Sequence, residues 1–136
     1  MKILFIRPHT PKETIGLQHV MLVEPLELEI LATLIEKEHK VEIIDLIIEK
    51  QPLPYFINKH QPDVVCFTGY ITHSNLIKEL CKKTKEINSE IVTIVGGVHI
   101  EKMPECVDSD FVDYRVINNS RTAREERKIK EIPTKK

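Results

Sequence analysis

Short apolar runs recur along the chain, and the segments between them carry helical spacing. The runs are Lys2–Arg7, Val41–Leu46, Asp63–Thr68, Glu90–Val95 and Phe111–Val116. Val and Ile dominate them with little polar alternation, which predicts strands covered on both faces. Glu24-Pro25 reads as a helix start, with Pro25 at the first helical position. Leu28, Leu31, Leu34 and Ile35 then form the expected buried stripe, while Glu29, Thr33, Glu36 and Lys37 take the other face to about Glu38. A short helix is expected within residues 51–60, punctuated by Pro52 and Pro54. A third helix follows His73, capped by Thr72 or Ser74. Its expected stripe is Leu76, Ile77, Leu80, Cys81 and Ile87, and a short helical stretch follows Met103-Pro104-Glu105.

Strands alternating with helices predict an α/β fold with a parallel sheet and helices on both faces. Right-handed crossovers then give a doubly wound sheet of about five strands, with order 2-1-3-4-5 as the common solution. In such a sheet, ligands bind beyond the carboxyl ends of the strands, where the strand order reverses. Loops leaving Arg7, Thr68 and Val95 converge at that edge.

Composition changes this picture little. The chain has 136 residues, enough for one domain with a real core. Its formal charge of −1 makes no case for nucleic acid or an anionic membrane. Charge is uneven, however. Residues 118–136 carry seven basic and three acidic side chains, a net of +4, which leaves −5 on the rest. The expected division is a domain over 1–117 and a charged tail or linker over 118–136. The opening Lys2-Ile3-Leu4-Phe5-Ile6 lacks the pattern of a signal peptide, and no stretch is long enough to span a membrane. The three cysteines, Cys66, Cys81 and Cys106, are odd in number and widely spaced. They fit a reducing cytoplasm rather than a disulfide framework, and their spacing shows no metal site.

The convergent edge gathers Arg7, Pro8, His9, Thr68, Gly69, Tyr70, Thr72, Ser74, Gly96, Gly97 and His99. It holds hydroxyls, glycines and imidazoles, without a cluster of carboxylates. A phosphorylated receiver needs acids after the first strand and an aspartate ending the third; Arg7-Pro8 and Thr68-Gly69 stand there instead. The GxGxxG fingerprint and the P-loop are absent. Arg7-Pro8-His9-Thr10-Pro11 is a poor phosphate loop. What remains is a glycine-walled slot suited to a bulky cofactor that brings its own chemistry. The alternative for Gly96-Gly97 is a plain strand-to-helix turn.

At this point the chain resembles the N-terminal cobalamin (B12)-binding domain of B12-dependent radical SAM proteins. This group includes the anaerobic magnesium-protoporphyrin IX monomethyl ester cyclase and many methyltransferases. The resemblance runs over roughly residues 1–115. Its pieces are Lys2-Ile3-Leu4-Phe5-Ile6-Arg7-Pro8, Glu24-Pro25-Leu26-Glu27-Leu28-Glu29-Ile30-Leu31-Ala32, Gln61-Pro62-Asp63-Val64-Val65, and Val95-Gly96-Gly97-Val98-His99 with Pro104-Glu105 downstream. It implies a Rossmann-like, flavodoxin-like domain that seats the corrin on the carboxyl edge, with the nucleotide tail running down beside the strands. Gly96 and Gly97 match the glycines that make room for the tail. Thr68, Gly69 and Thr72 match the hydroxyl-bearing loop that contacts it. Tyr70 would lie under the corrin or cover the sheet edge. Arg7 would meet a phosphate or propionamide, or pair with an acid. His99 is a further candidate contact.

The resemblance also implies S-adenosylmethionine and a 4Fe–4S cluster in a C-terminal radical SAM domain, which would be the partner of this one. The chain departs from the cobalt-ligating DxHxxG motif after the first strand, where His9 and His19 lack the Asp and Gly. No metal ligand and no catalytic residue is therefore expected within this chain. The alternative reading is a cofactor-free interaction domain on the same fold.

Overall fold

The structure, a computed structural model, describes residues 1–12 and 23–117. His19 and the 118–136 tail lie outside the described residues. Five parallel strands form one sheet in the order β2-β1-β3-β4-β5. They are β1 (Lys2–Arg7), β2 (Lys40–Asp45), β3 (Val64–Thr68), β4 (Val92–Gly96) and β5 (Tyr114–Arg115). The helices are α1 (Leu26–Ile35), α2 (Leu53–His60), α3 (Ser74–Ile87) and α4 (Val98–Lys102). Two 3-10 turns, Ile71–His73 and Pro104–Val107, complete the described elements. The expected strand order and doubly wound α/β class are observed. Among the described residues no helix is long and apolar enough to cross a membrane.

The two faces of the sheet are covered unequally. On one face, Leu4, Ile6, Val65, Phe67 and Val95 pack against Leu53, Phe56 and Ile57 of α2, Ile77, Leu80 and Cys81 of α3, and Ile100 of α4. Strand periodicity sends Ile3, Phe5, Val64, Cys66, Val92 and Ile94 to the other face. There α1 is the one helix among the described residues. Ile3, Phe5 and Val64 are buried with Leu28, whereas Cys66, Val92 and Ile94 are only partly buried. Burial pushes the Cys66 and Cys81 thiols up to about 12, so neither is a thiolate near neutral pH.

Three sequence expectations are corrected. The α1 stripe was expected to bury Leu28, Leu31, Leu34 and Ile35. Only Leu28 is fully buried; Leu31 is 47% and Leu34 72% exposed, and Leu26 and Ile30 are exposed beside them. The helix is apolar nearly all round, so its periodicity could not single out the face that meets the sheet. Helix α3 takes no side-chain cap from Thr72 or Ser74. The 3-10 turn runs straight into it, and the Ser74 hydroxyl donates to the Ile71 carbonyl at 2.8 Å. The fifth strand is two residues long rather than six, because the chain before it is diverted into side-chain bonds.

That diversion is a network around Asp113. Its Oδ2 accepts from the Thr93 backbone N–H at 2.8 Å and from the Thr93 hydroxyl at 3.1 Å. Lys85 Nζ of α3 lies 2.5 Å from the same oxygen and donates to the Ile91 carbonyl at 2.6 Å. The Thr93 hydroxyl also reaches the Phe111 carbonyl at 2.6 Å. One carboxylate thus ties α3, the start of β4 and the approach to β5. Burial alone would raise the Asp113 pKa, but the bonds from Lys85 and Thr93 outweigh it and hold the carboxyl below its usual range.

Asp113→Ala is expected to cost about 2 kcal/mol in urea unfolding, since it leaves the Thr93 amide unpaired and the partly buried Lys85 ammonium without its counter-ion. The depressed pKa gives stability that is present above the unfolded value of 3.8 and lost as pH falls through the lower folded value. The parent should therefore lose stability on acidification more steeply than Asp113→Ala. Urea midpoints for the two proteins at neutral and acid pH check both statements.

Candidate functional site

The carboxyl edge is built around two strand-end glycines. Gly97 follows β4 with φ 120° and ψ 165°, backbone angles open almost only to glycine. It also sits close against the turn after β3. A Cβ built on Gly97 would lie 3.0 Å from the Gly69 carbonyl oxygen and 3.2 Å from Thr68 Oγ1. Gly69 is hemmed in the same way: its Cβ would stand 2.9 Å from both His73 Cβ and Ile77 Cδ1. The two loops therefore touch backbone to backbone, and α3 closes on them from behind.

Gly96 differs. Its Cβ would meet Val116 at 3.4 Å, an ordinary contact. In the sheet Gly96 is paired with Thr68, Ile94 with Cys66 and with Tyr114. Thr68, Gly96 and Val116 thus form the top row of the thinly covered face, and Cys66, Ile94 and Tyr114 form the row beneath. The missing side chain at Gly96 leaves a notch between Thr68 and Val116. Below it, on the face that α1 covers, Cys66 and Ile94 are only partly buried.

Around the notch the edge is apolar and open. Tyr70 is 70% exposed, and Ile71, Val98 and Val116 are exposed with it. They stand at the carboxyl ends of β3, β4 and β5. Exposed apolar groups gathered at one edge suit a broad, flat apolar ligand.

The structure brings together Thr68, Gly69, Gly96 and Gly97 directly. Tyr70 and Thr72 belong to the same loop and are exposed. Arg7 stands at the end of β1, one residue beyond the Ile6–Phe67 pair of β1 and β3. Its Nη1 pairs with Asp45 Oδ2 at 3.1 Å and donates to the Val23 carbonyl. Asp45 lies at the end of β2 rather than in the long loop after β1. His99 sits in α4, and its Nε2 is buried with no hydrogen-bond partner among the described residues.

Sequence reasoning missed Asp45 and His73. The Tyr70 backbone N–H donates to His73 Nδ1 at 3.2 Å, and the His73 N–H donates to the Tyr70 carbonyl at 2.9 Å. Burial first, then the charges of His9 and Arg7, hold the His73 imidazole below its ordinary pKa against a contrary pull from the Tyr70 backbone. The one sequence signal was the position of His73 three residues after Tyr70, where a side chain can reach back to the loop amide.

A separate cavity of about 280 Å³ opens where β1 and β2 end, lined by His9, Leu46, Lys50, Pro52, Leu53 and Leu80 among others. It does not include the glycines. No group of three or more His, Cys, Asp or Glu among the described residues converges to hold a metal.

Residues 14–128 match the B12 binding domain family. The chain belongs to this family. The B12-binding match extends past residue 117 to 128, into the basic segment. A methyltransferase of Pyrococcus horikoshii, itself named as uncharacterized, is 30% identical over 122 residues, covering 80% of this chain and 26% of the relative. The B12-binding chain thus spans about a quarter of the length of that curated relative. Among solved structures, a cobalamin-binding protein from Desulfitobacterium hafniense has a similar fold, with a TM-score of 0.59 and 17% identity, covering 80% of this chain and 50% of that one.

The two glycines of the carboxyl edge should respond differently to the same change. Gly97→Ala forces a side chain into a backbone region that disfavours it and against the Gly69 carbonyl, so a loss of about 2–3 kcal/mol is expected. Gly96→Ala should leave stability within about 0.5 kcal/mol. Denaturant unfolding of both variants checks the contrast.

Proposed function

We propose that this domain holds cobalamin, with the corrin resting on the carboxyl edge and the nucleotide tail entering at Gly96. The observation that carries the reading is the side-chain-free notch between Thr68 and Val116, opening onto the apolar row of Cys66, Ile94 and Tyr114. Membership of the B12-binding family supports it. Tyr70, Ile71 and Val98 would lie against the corrin and shield it from water. Thr68 and Thr72 would offer hydroxyls, and the buried His99 Nε2 would take one polar atom of the cofactor. Arg7, already neutralised by Asp45 and bonded to the Val23 carbonyl, would keep its remaining N–H groups for an amide or phosphate. When bound, the cofactor supplies cobalt-centred group-transfer chemistry.

We infer further that the domain serves a radical SAM enzyme of the methyl-transfer kind. Its C-terminal domain would carry S-adenosylmethionine and the 4Fe–4S cluster. The sequence resemblance and the methyltransferase name of the Pyrococcus relative support this, as does the large share of that relative lying outside the match.

The test is retention. Protein mixed with hydroxocobalamin or methylcobalamin, then freed of ligand by gel filtration, should keep a stoichiometric corrin spectrum of the base-off type. Gly96→Leu should lose retention while its circular dichroism and unfolding midpoint stay close to the parent's. A parent that retains no corrin at tens of micromolar, or a Gly96→Leu variant that retains it fully, contradicts the proposal. The first outcome would favour the cofactor-free interaction domain.

A further inference from the structure

We propose that His73 is a positioning residue that fixes the Tyr70–Thr72 loop for the cofactor only while its imidazole is neutral. The inference rests on the cobalamin reading for its ligand, but its geometry stands alone. The Tyr70 backbone N–H points at His73 Nδ1 at 3.2 Å, and the Thr72 hydroxyl lies 3.4 Å from the same nitrogen. A backbone N–H can only donate, so Nδ1 accepts, and the neutral ring carries its proton on Nε2. The return bond from the His73 N–H to the Tyr70 carbonyl makes the pair reciprocal. Gly69 lets the loop close onto His73 Cβ, so the ring is held against the segment that it orients.

Protonation would put two N–H groups face to face and break the acceptor. The groups that act on the ring electrostatically are His9 and Arg7, both from the β1 side, and both disfavour the charged form. The 69–72 loop and the first turn of α3, Ser74 to Ile77, carry no charge. Burial, first, and the two nearby bases hold the ring neutral against an opposing pull from the Tyr70 backbone, and the net shift is downward. Its folded pKa lies below the ordinary 6.5, so the positioning bond is intact at neutral pH and is lost as pH falls through that lower value.

This arrangement also bears on cobalt. A histidine that ligates a metal donates its other ring N–H to an acceptor. His73 does the reverse, so Nε2 has no lone pair to offer while the Tyr70 bond stands. Its role is to place Tyr70 and Thr72, not to ligate.

The experiment measures methylcobalamin affinity of the parent, His73→Asn and His73→Ala at about pH 7.5 and about pH 5. Asparagine places Oδ1 where Nδ1 stands, accepts from the Tyr70 amide and does not titrate. The parent should weaken by about tenfold or more at the acid pH. His73→Asn should bind like the parent at neutral pH and stay flat, which separates His73 from His9 and from titration of the cofactor. His73→Ala should bind weakly at both. A flat parent profile, or a His73→Asn profile that falls in parallel with the parent's, overturns the proposal. Nitrogen-15 NMR of the cofactor-free protein gives a readout independent of cobalamin. The neutral ring should show its proton on Nε2, and the Tyr70 amide should shift with the His73 titration. A proton on Nδ1 overturns the proposal, whether or not cobalamin binds; failure of every protein to bind cobalamin, with the NMR result as expected, removes the cobalamin reading and the His73 role in binding but leaves the loop lock.

Discussion

The carboxyl edge depends on one close approach, that of Gly97 to the Gly69 carbonyl and the Thr68 hydroxyl. A residue with a Cβ cannot occupy position 97 without strain at φ 120° and a contact at 3.0 Å. Gly69, in turn, must be bare because His73 and Ile77 close on it. The two loops therefore pack at backbone distance and leave the side-chain positions above them free. What stands above is apolar and exposed: Tyr70, Ile71, Val98 and Val116. A tight interior turn and an open outer surface follow from the same two glycines.

The two faces of the sheet beneath that edge are covered unequally. Three helices cover the face that carries Val65, Phe67 and Val95, and those residues are fully buried. On the other face, Cys66, Val92 and Ile94 stay only partly buried. A ligand held at the Gly96 notch, as proposed, would lie over this second row. Burial of apolar surface there contributes roughly 25 cal/mol per Å². The Asp113 network stiffens the same region from below, tying β4 and the approach to β5 to Lys85 of α3.

Much of the fold was legible in the chain. Lys2–Arg7 is a strand with the expected bounds, because a continuous apolar run flanked by Pro8 leaves no other reading. Gly96 and Gly97 were recognisable as the point where β4 ends and the chain turns toward α4. What escaped was set by contacts distant in sequence. Asp45 meets Arg7 across 38 residues. Thr93 shortens β5 by taking up the Asp113 carboxylate, 20 residues away. The orientation of α1 was hidden because leucines occur on both its faces. His73 escaped for another reason: its role lies in which nitrogen accepts a bond, and that depends on loop geometry rather than on residue type.

The most direct test of the central claim is amide chemical-shift mapping of the protein titrated with methylcobalamin. The account predicts one saturable set of shifts covering Cys66, Thr68, Gly69, Ile94, Gly96 and Gly97, running from the edge down β3 and β4. Shifts confined to the cavity of His9, Leu46 and Lys50, or scattered without saturation, would contradict it.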